Sequence, residues 1–419
     1  MFVIFLTYIV IYQVAILVFI MKKKILTSLL LIGLMVGETS VFAPVSYASQ
    51  KLTRKQKKEN QYLDTASSAF EMKQFDTAIE YYTKAIELNP TNAESYAKRA
   101  NAKYMNGNYK DAVKDYTSAL EIDPNKENIY YNRGIANSNL KAYDDVIADY
   151  TKELEINPKN VNAYLNRGTT KVMLNKFDEA ISDFSKAVEL DSKNEMAYYN
   201  RGIAKRCNKD YKGALEDYSK VIELNPKSAD AYNNRGVAKY YLKDYAGAIS
   251  DYAKVVELDK NFKRVYYNRG LAYLGLAKYE DAILDFTREI EQNSKNDQAY
   301  YDRGLAESKL SHYSSAIDDY SKAIELNPKN ADYYADRGEL LYRSGGDLKK
   351  AEQDLTKAID LDNYDAEKYL TRAMIFCKLK MYLVAIDDLN IAIKINPKNT
   401  EAYDLRSYAI KALTGQAVK

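Results

Sequence analysis

The side chains with chemistry to offer are arranged in rows along this chain. An arginine recurs as Arg99, Arg133, Arg167, Arg201, Arg235, Arg269, Arg303, Arg337, Arg372 and Arg406. Eighteen residues before nine of these stands an aspartate: Asp115, Asp149, Asp183, Asp217, Asp251, Asp285, Asp319, Asp354 and Asp388. A guanidinium is a rigid fork that a carboxylate accepts in two parallel hydrogen bonds. The spacing therefore predicts nine salt bridges, each joining an aspartate to the arginine that follows it, with Arg99 (preceded by Tyr81 at that interval) as the exception. Matched opposite charges usually satisfy one another; the rival reading is an arginine row that binds an anionic ligand.

One residue before the arginines runs a second row, Asn132, Asn166, Asn200, Asn234 and Asn268, continued by Asp302 and Asp336. A side-chain amide both donates and accepts, so a row of amides can pair with an extended peptide backbone whatever its sequence. Beside it lie Tyr131, Tyr199, Tyr267 and Tyr301, and then Ile135, Ile203, Val237, Leu271 and Leu305, which together would form a semi-apolar channel with polar rungs. The competing reading is a solvated Asn-Arg-Gly motif copied by duplication.

Other chemistry is poorly provided for. The 419 residues contain one histidine, His312, and two cysteines, Cys207 and Cys377. That is too few for a His/Cys metal cluster or a two-histidine catalytic site. His312 reads as a surface turn residue, and the cysteines as free thiols on well-separated helices. Phosphate-loop, nucleophile-elbow and zinc-protease motifs are missing. The expectation is a non-enzyme with no cofactor and no metal. Sixty-one basic against 58 acidic residues give +3, with no polybasic footprint for nucleic acid.

The elements that carry the rows are set by a fixed period. Pro90, Pro124 and Pro158 are 34 residues apart, and Pro226, Pro328 and Pro397 continue the series. Within each period apolar residues recur at three- and four-residue steps, as in Ala112, Tyr116 and Ala119, which is helical spacing. Two short helices per period cannot bury their apolar faces alone, so stacked neighbours must supply the core. Gly134, Gly168, Gly202, Gly236, Gly270, Gly304 and Gly338 recur in the first helix. Glycine is costly there unless another chain element needs the room, and the expected partners are Ala180, Ala214, Ala248, Ala282, Ala316 and Ala351 on the second helix.

These residues resemble the tetratricopeptide repeat family: 34-residue helix hairpins with small residues at positions eight and twenty, an aromatic at twenty-four and proline at thirty-two. The resemblance covers residues 59–399 as ten repeats, followed by a capping helix and tail over 400–419. It implies an all-α, right-handed superhelical solenoid whose first helices line a concave groove that binds proteins or peptides. The asparagine row is similar to ladders in the repeat domain of O-linked N-acetylglucosamine transferases. Departures from the family pattern are Val146 and Glu153 in repeat three, Glu289 in repeat seven, and Gly345-Gly346 and Leu355 in repeat nine. Position five carries no lysine, which argues against the chaperone-tail clamp of some family members.

Ahead of the repeats, residues 21–48 read as a secretory signal peptide: Met21 and Lys22 to Lys24, an apolar stretch from Ile25 to Val36, and a small-residue cleavage site near Ala48. The mature protein is then periplasmic or extracellular. Residues 1–20 are an apolar extension, read as lying upstream of the true start; the alternative is a membrane anchor, since about 20 apolar residues can span. Residues 49–58 read as a basic linker. The leading functional expectation is binding of an extended partner segment by repeats three to eight. An assembly scaffold that self-associates is the alternative, and an enzyme accessory role comes last.

Overall fold

The computed structural model describes residues 52–415, in which helices follow one another from Arg54–Glu71 to Thr400–Thr414 and no strand occurs. They form ten helix-turn-helix units and a closing helix, a right-handed superhelical solenoid. The signal-peptide and apolar-extension readings, and residues 416–419, lie outside the described residues.

Each unit is assembled by local rules. A first helix such as Val161–Met173 opens on Asn160, whose side chain accepts the backbone N–H of Ala163; Asn194, Ser228, Asn296 and Asn399 do the same for later repeats. Capping satisfies one of the amides that a helix start leaves unpaired. The tight turn to the second helix needs one left-handed residue, supplied by Gly107 and Gly345 but elsewhere by side-chain-bearing residues such as Lys141, Asn175 and Ala277, with φ of 56–59°. The extra residue of repeat nine is absorbed in this turn, at Gly345-Gly346, before Asp347 caps the next helix.

Repeats three and seven break the capping rule in the same way. Lys126 and Phe262 stand where the other corners place Asn, Ser or Asp, so the first helices begin late, at Ile129 and Val265, after Asn128 and Arg264 at φ 64°. Residues 54–58, read as part of a basic linker, are helical. Thr53 and Gln56 form a reciprocal cap, Thr53 N–H to Gln56 Oε1 at 2.8 Å and Gln56 N–H to Thr53 Oγ1 at 3.2 Å, which starts the first helix at Arg54.

The core is built from alanine and aromatic rings, among them the buried Tyr116, Tyr150, Phe184, Tyr218, Tyr252 and Phe286. These rings, at position twenty-four, occupy the space left by the recurrent glycines. A Cβ on Gly236 would lie 2.7 Å from the Tyr252 ring, and one on Gly168 would lie 2.7 Å from Phe184. The ring is thus the nearest neighbour of most of these glycines, a partner the sequence reading did not name beside the alanine. In repeats eight and nine the alanine backbone is also among the nearest atoms: Ala316 O would lie 3.2 Å from a Cβ on Gly304, and Ala351 O 3.0 Å from one on Gly338, where Leu355 replaces the ring.

First helices of successive repeats also touch one another: Ala93–Met105 meets Ile129–Asn139, and Glu195–Cys207 meets both Val161–Met173 and Ala229–Tyr241. The closer spacing of this layer makes it the inner, concave face of the solenoid.

Candidate functional site

The arginine row is half-buried and reaches buried aspartates within the hairpins, and its pairing is the reverse of the expected one. Each arginine grips the aspartate sixteen residues after it, on the second helix of its own repeat. Arg133 Nη2 donates to Asp149 at 2.6 Å, and Arg167, Arg201, Arg235, Arg269 and Arg303 each reach Asp183, Asp217, Asp251, Asp285 and Asp319 with two bonds of 2.6–3.0 Å. Arg372 holds Asp388, and Arg337 holds Asp354 across the one-residue insertion. Arg99, expected to be the exception, pairs with Asp115. Arg406, expected to pair with Asp388, instead donates to Asn390 Oδ1 at 2.8 Å. The physical reason is reach: the two helices of one hairpin enclose the pair, leaving the carboxylates almost fully buried.

The same guanidinium does cross to the preceding repeat, through a hydroxyl. Nη1 of Arg133, Arg167 and Arg303 donates to Thr117, Thr151 and Thr287 at 2.9–3.0 Å, and Ser185 and Ser219 serve Arg201 and Arg235. Arg269 lacks this bond because Ala253 stands at the hydroxyl position. In several repeats the aspartate also takes a lysine, as in Lys171–Asp183, Lys205–Asp217 and Lys239–Asp251 at 2.9 Å. That third member was missed in the sequence, although Lys recurs four residues after Arg. Pairing raises the pKa of Arg201, Arg235, Arg269 and Arg303. In repeats three and eight Asn137 and Glu307 replace the lysine, and burial pushes Asp149 and Asp319 above the usual carboxylate value.

The second row lies half-buried on the first-helix layer, and much of it is tied together. Asn166 Nδ2 donates to the Tyr131 hydroxyl at 3.2 Å, and Asn234 Nδ2 to the Tyr199 hydroxyl at 3.0 Å. The Tyr267 and Tyr301 hydroxyls donate to Asp302 at 2.8 Å and Asp336 at 2.6 Å. Asn268 reaches Asn233 at 3.3 Å. Each bond links position five of one repeat to position six of the next. Where position five is apolar, at Ala97 and Leu165, the following amides, Asn132 and Asn200, make no side-chain hydrogen bond among the described residues. Burial lifts the Asp302 carboxyl to about 6 and also raises Asp336, each opposed by its tyrosine hydrogen bond.

Two family departures prove to be buried acids. Glu153 and Glu289 are 1 and 2 % exposed. One oxygen of each accepts an amide, from Asn160 at 2.8 Å and Asn296 at 2.9 Å, and the other has no partner. His312 is exposed, 2.7 Å from Glu307. Cys207 and Cys377 are free thiols. Among the described residues no group of His, Cys, Asp and Glu is placed to hold a metal, and no helix is long and apolar enough to cross a membrane.

Models of the tetratricopeptide repeat match residues 67–107, 100–141, 170–205, 208–242, 229–262, 267–308, 304–345 and 331–365. The chain belongs to the tetratricopeptide repeat family. It is 40% identical over 73 residues to a TPR repeat-containing thioredoxin of Arabidopsis thaliana, a match that covers 17% of this chain and 19% of that protein. Among solved structures, a tetratricopeptide repeat protein from Parabacteroides merdae is 21% identical over 60% of this chain and 99% of its own, with a TM-score of 0.43. YrrB, described as a TPR protein with an unusual peptide-binding site, is 24% identical over 43% of this chain and 92% of its own, with a TM-score of 0.39.

Proposed function

We propose that the chain is an exported, non-catalytic protein that binds an extended segment of a partner protein along the first-helix layer of repeats three to eight. The observation that carries this reading is the position-six row, which offers two unpaired amides, Asn132 and Asn200, and the acceptor oxygens of Asn166 and Asn234 along one face. Amides in that arrangement suit a peptide backbone and leave the choice of side chains to the residues beside them. The basic, apolar and small-residue order of residues 21–48 supports export.

The test is a cross-linking pulldown from the native cell envelope with the chain from Ser49, with and without Asn132→Ala plus Asn200→Ala. Partners lost on substitution, at an unchanged melting temperature, are expected. Retention of every partner would remove the asparagine row from the function.

Self-association is the second reading, favoured by exposed apolar side chains near the C-terminal end, where Leu383 is 65 % exposed and Ile410 and Leu413 are also open. Sedimentation across a concentration series separates the two: a mass that stays monomeric rejects self-association.

A further inference from the structure

Repeat five differs from its neighbours in what it leaves unbonded. Its first helix, Glu195–Cys207, places Tyr199, Ile203 and Arg206 on one stripe, at i, i+4 and i+7. Position twelve of the other repeats carries Tyr104, Ser138, Val172, Tyr240, Leu274 or Ser308; only repeat five puts a guanidinium there among these. Arg206 has no carboxylate partner and no side-chain hydrogen bond among the described residues, and its Nε is fully buried. The groups beside it are Tyr218, Tyr199 and Cys207. Tyr218 is itself wholly buried; its hydroxyl lies against the guanidinium without a hydrogen bond of good geometry. Some of the equivalent ring hydroxyls are bonded, Tyr116 to Asn101 and Tyr150 to Asn166. The third unbonded group is the Asn200 amide, freed because Leu165 precedes it in the row.

The buried Nε and Tyr218 hydroxyl are out of reach of solvent, whereas the terminal nitrogens of Arg206 are not among the fully buried unbonded atoms and have no carboxylate partner. They can donate paired, charge-assisted bonds to a carboxylate arriving from outside. We infer that repeat five is an anion subsite in which Arg206 receives a carboxylate side chain of the bound segment while Asn200 holds that segment's backbone. Asn200 and Arg206 are six residues apart, about 9 Å along the helix at ~1.5 Å per residue. The inference rests on the groove reading above and adds to it a side-chain preference at one register.

The experiment is selection of random dodecapeptides displayed on phage against the whole chain from Ser49, followed by anisotropy titration of the best binder. An acidic residue, glutamate or aspartate, is expected to be enriched at one position. Changing it to its amide in the peptide should weaken binding about tenfold to the unsubstituted protein and less than twofold to Arg206→Gln. Arg206→Lys, which keeps the charge, should retain part of the acidic preference, and melting curves of both variants control for folding. Binders without an acidic position, or an equal loss against Arg206→Gln, overturn the anion subsite and leave groove binding standing. No binders at all overturn both.

Discussion

The arginine and asparagine rows stand one residue apart on the same helices, yet one is paired with carboxylates in every repeat from the second to the tenth and the other is left partly open. A step of one residue turns a side chain by about 100° around the helix. For arginine that points into the hairpin, where an aspartate takes two of its bonds and, in most repeats, a neighbouring hydroxyl takes a third. For asparagine it points along the inner face, where bonding depends chiefly on the position-five residue of the preceding repeat. The difference separates a row that holds the solenoid together from one that has bonds to spare.

The sharpest way to break the comparison is Asp251→Ala. It strands Arg235 and Lys239 without their carboxylate in a buried place, and uncompensated buried charge costs about 3–5 kcal/mol. Chemical denaturation should show the central repeats unfolding early, because a solenoid shares stability only with nearest neighbours. A loss below about 1 kcal/mol would show that the buried pairs do little.

Asp302→Asn tests the acid end of the open row. Burial raises the folded-state pKa of Asp302 to about 6, above its ordinary value of 3.8. The folded chain therefore holds this proton more tightly than the unfolded chain does. The associated stability is full below about pH 4 and is lost as pH rises through about 6. Asparagine can still accept from Tyr267 and has no charge to bury. The variant is expected to gain about 1–3 kcal/mol at pH 7 and to lose that part of the slope between pH 4 and 6, read from melts across pH. An unchanged slope would mean the carboxylate is well solvated.

The smallest effect is the most discriminating. Asn234→Ala removes a bond to Tyr199 and should cost about 0.5–1.5 kcal/mol, whereas Asn200→Ala should cost close to nothing. Equal costs would show that the rule linking positions five and six has no energetic content.

The fold could be read in the sequence because its period is written in proline, glycine and aromatic residues whose backbone or packing roles are specific. The rows were legible too, but the partner of each arginine was not, for a geometric reason. In a 34-residue period an aspartate that lies eighteen residues before one arginine also lies sixteen after another, and both intervals join a second helix to a first. Spacing fixes the period and leaves the phase open. Only the ends decide, and there Arg99 finds Asp115 while Arg406 does not take Asp388. The unbonded state of Arg206 was equally hidden, since it depends on which neighbours stay silent. The capping failures were present as Lys126 and Phe262 at cap positions, a signal that could have been found by aligning the corners.

Repeats three and seven share more than that failure. Both carry a β-branched residue, Ile129 and Val265, at the position where neighbouring repeats have Ser95, Ala163, Ala231 and Ala299, and both bury a glutamate answered by the asparagine at the following corner. Each acid and the amide that answers it are seven residues apart and fall within one 34-residue repeat. Anyone lengthening or shortening the array can therefore cut at repeat boundaries without parting a buried acid from its amide.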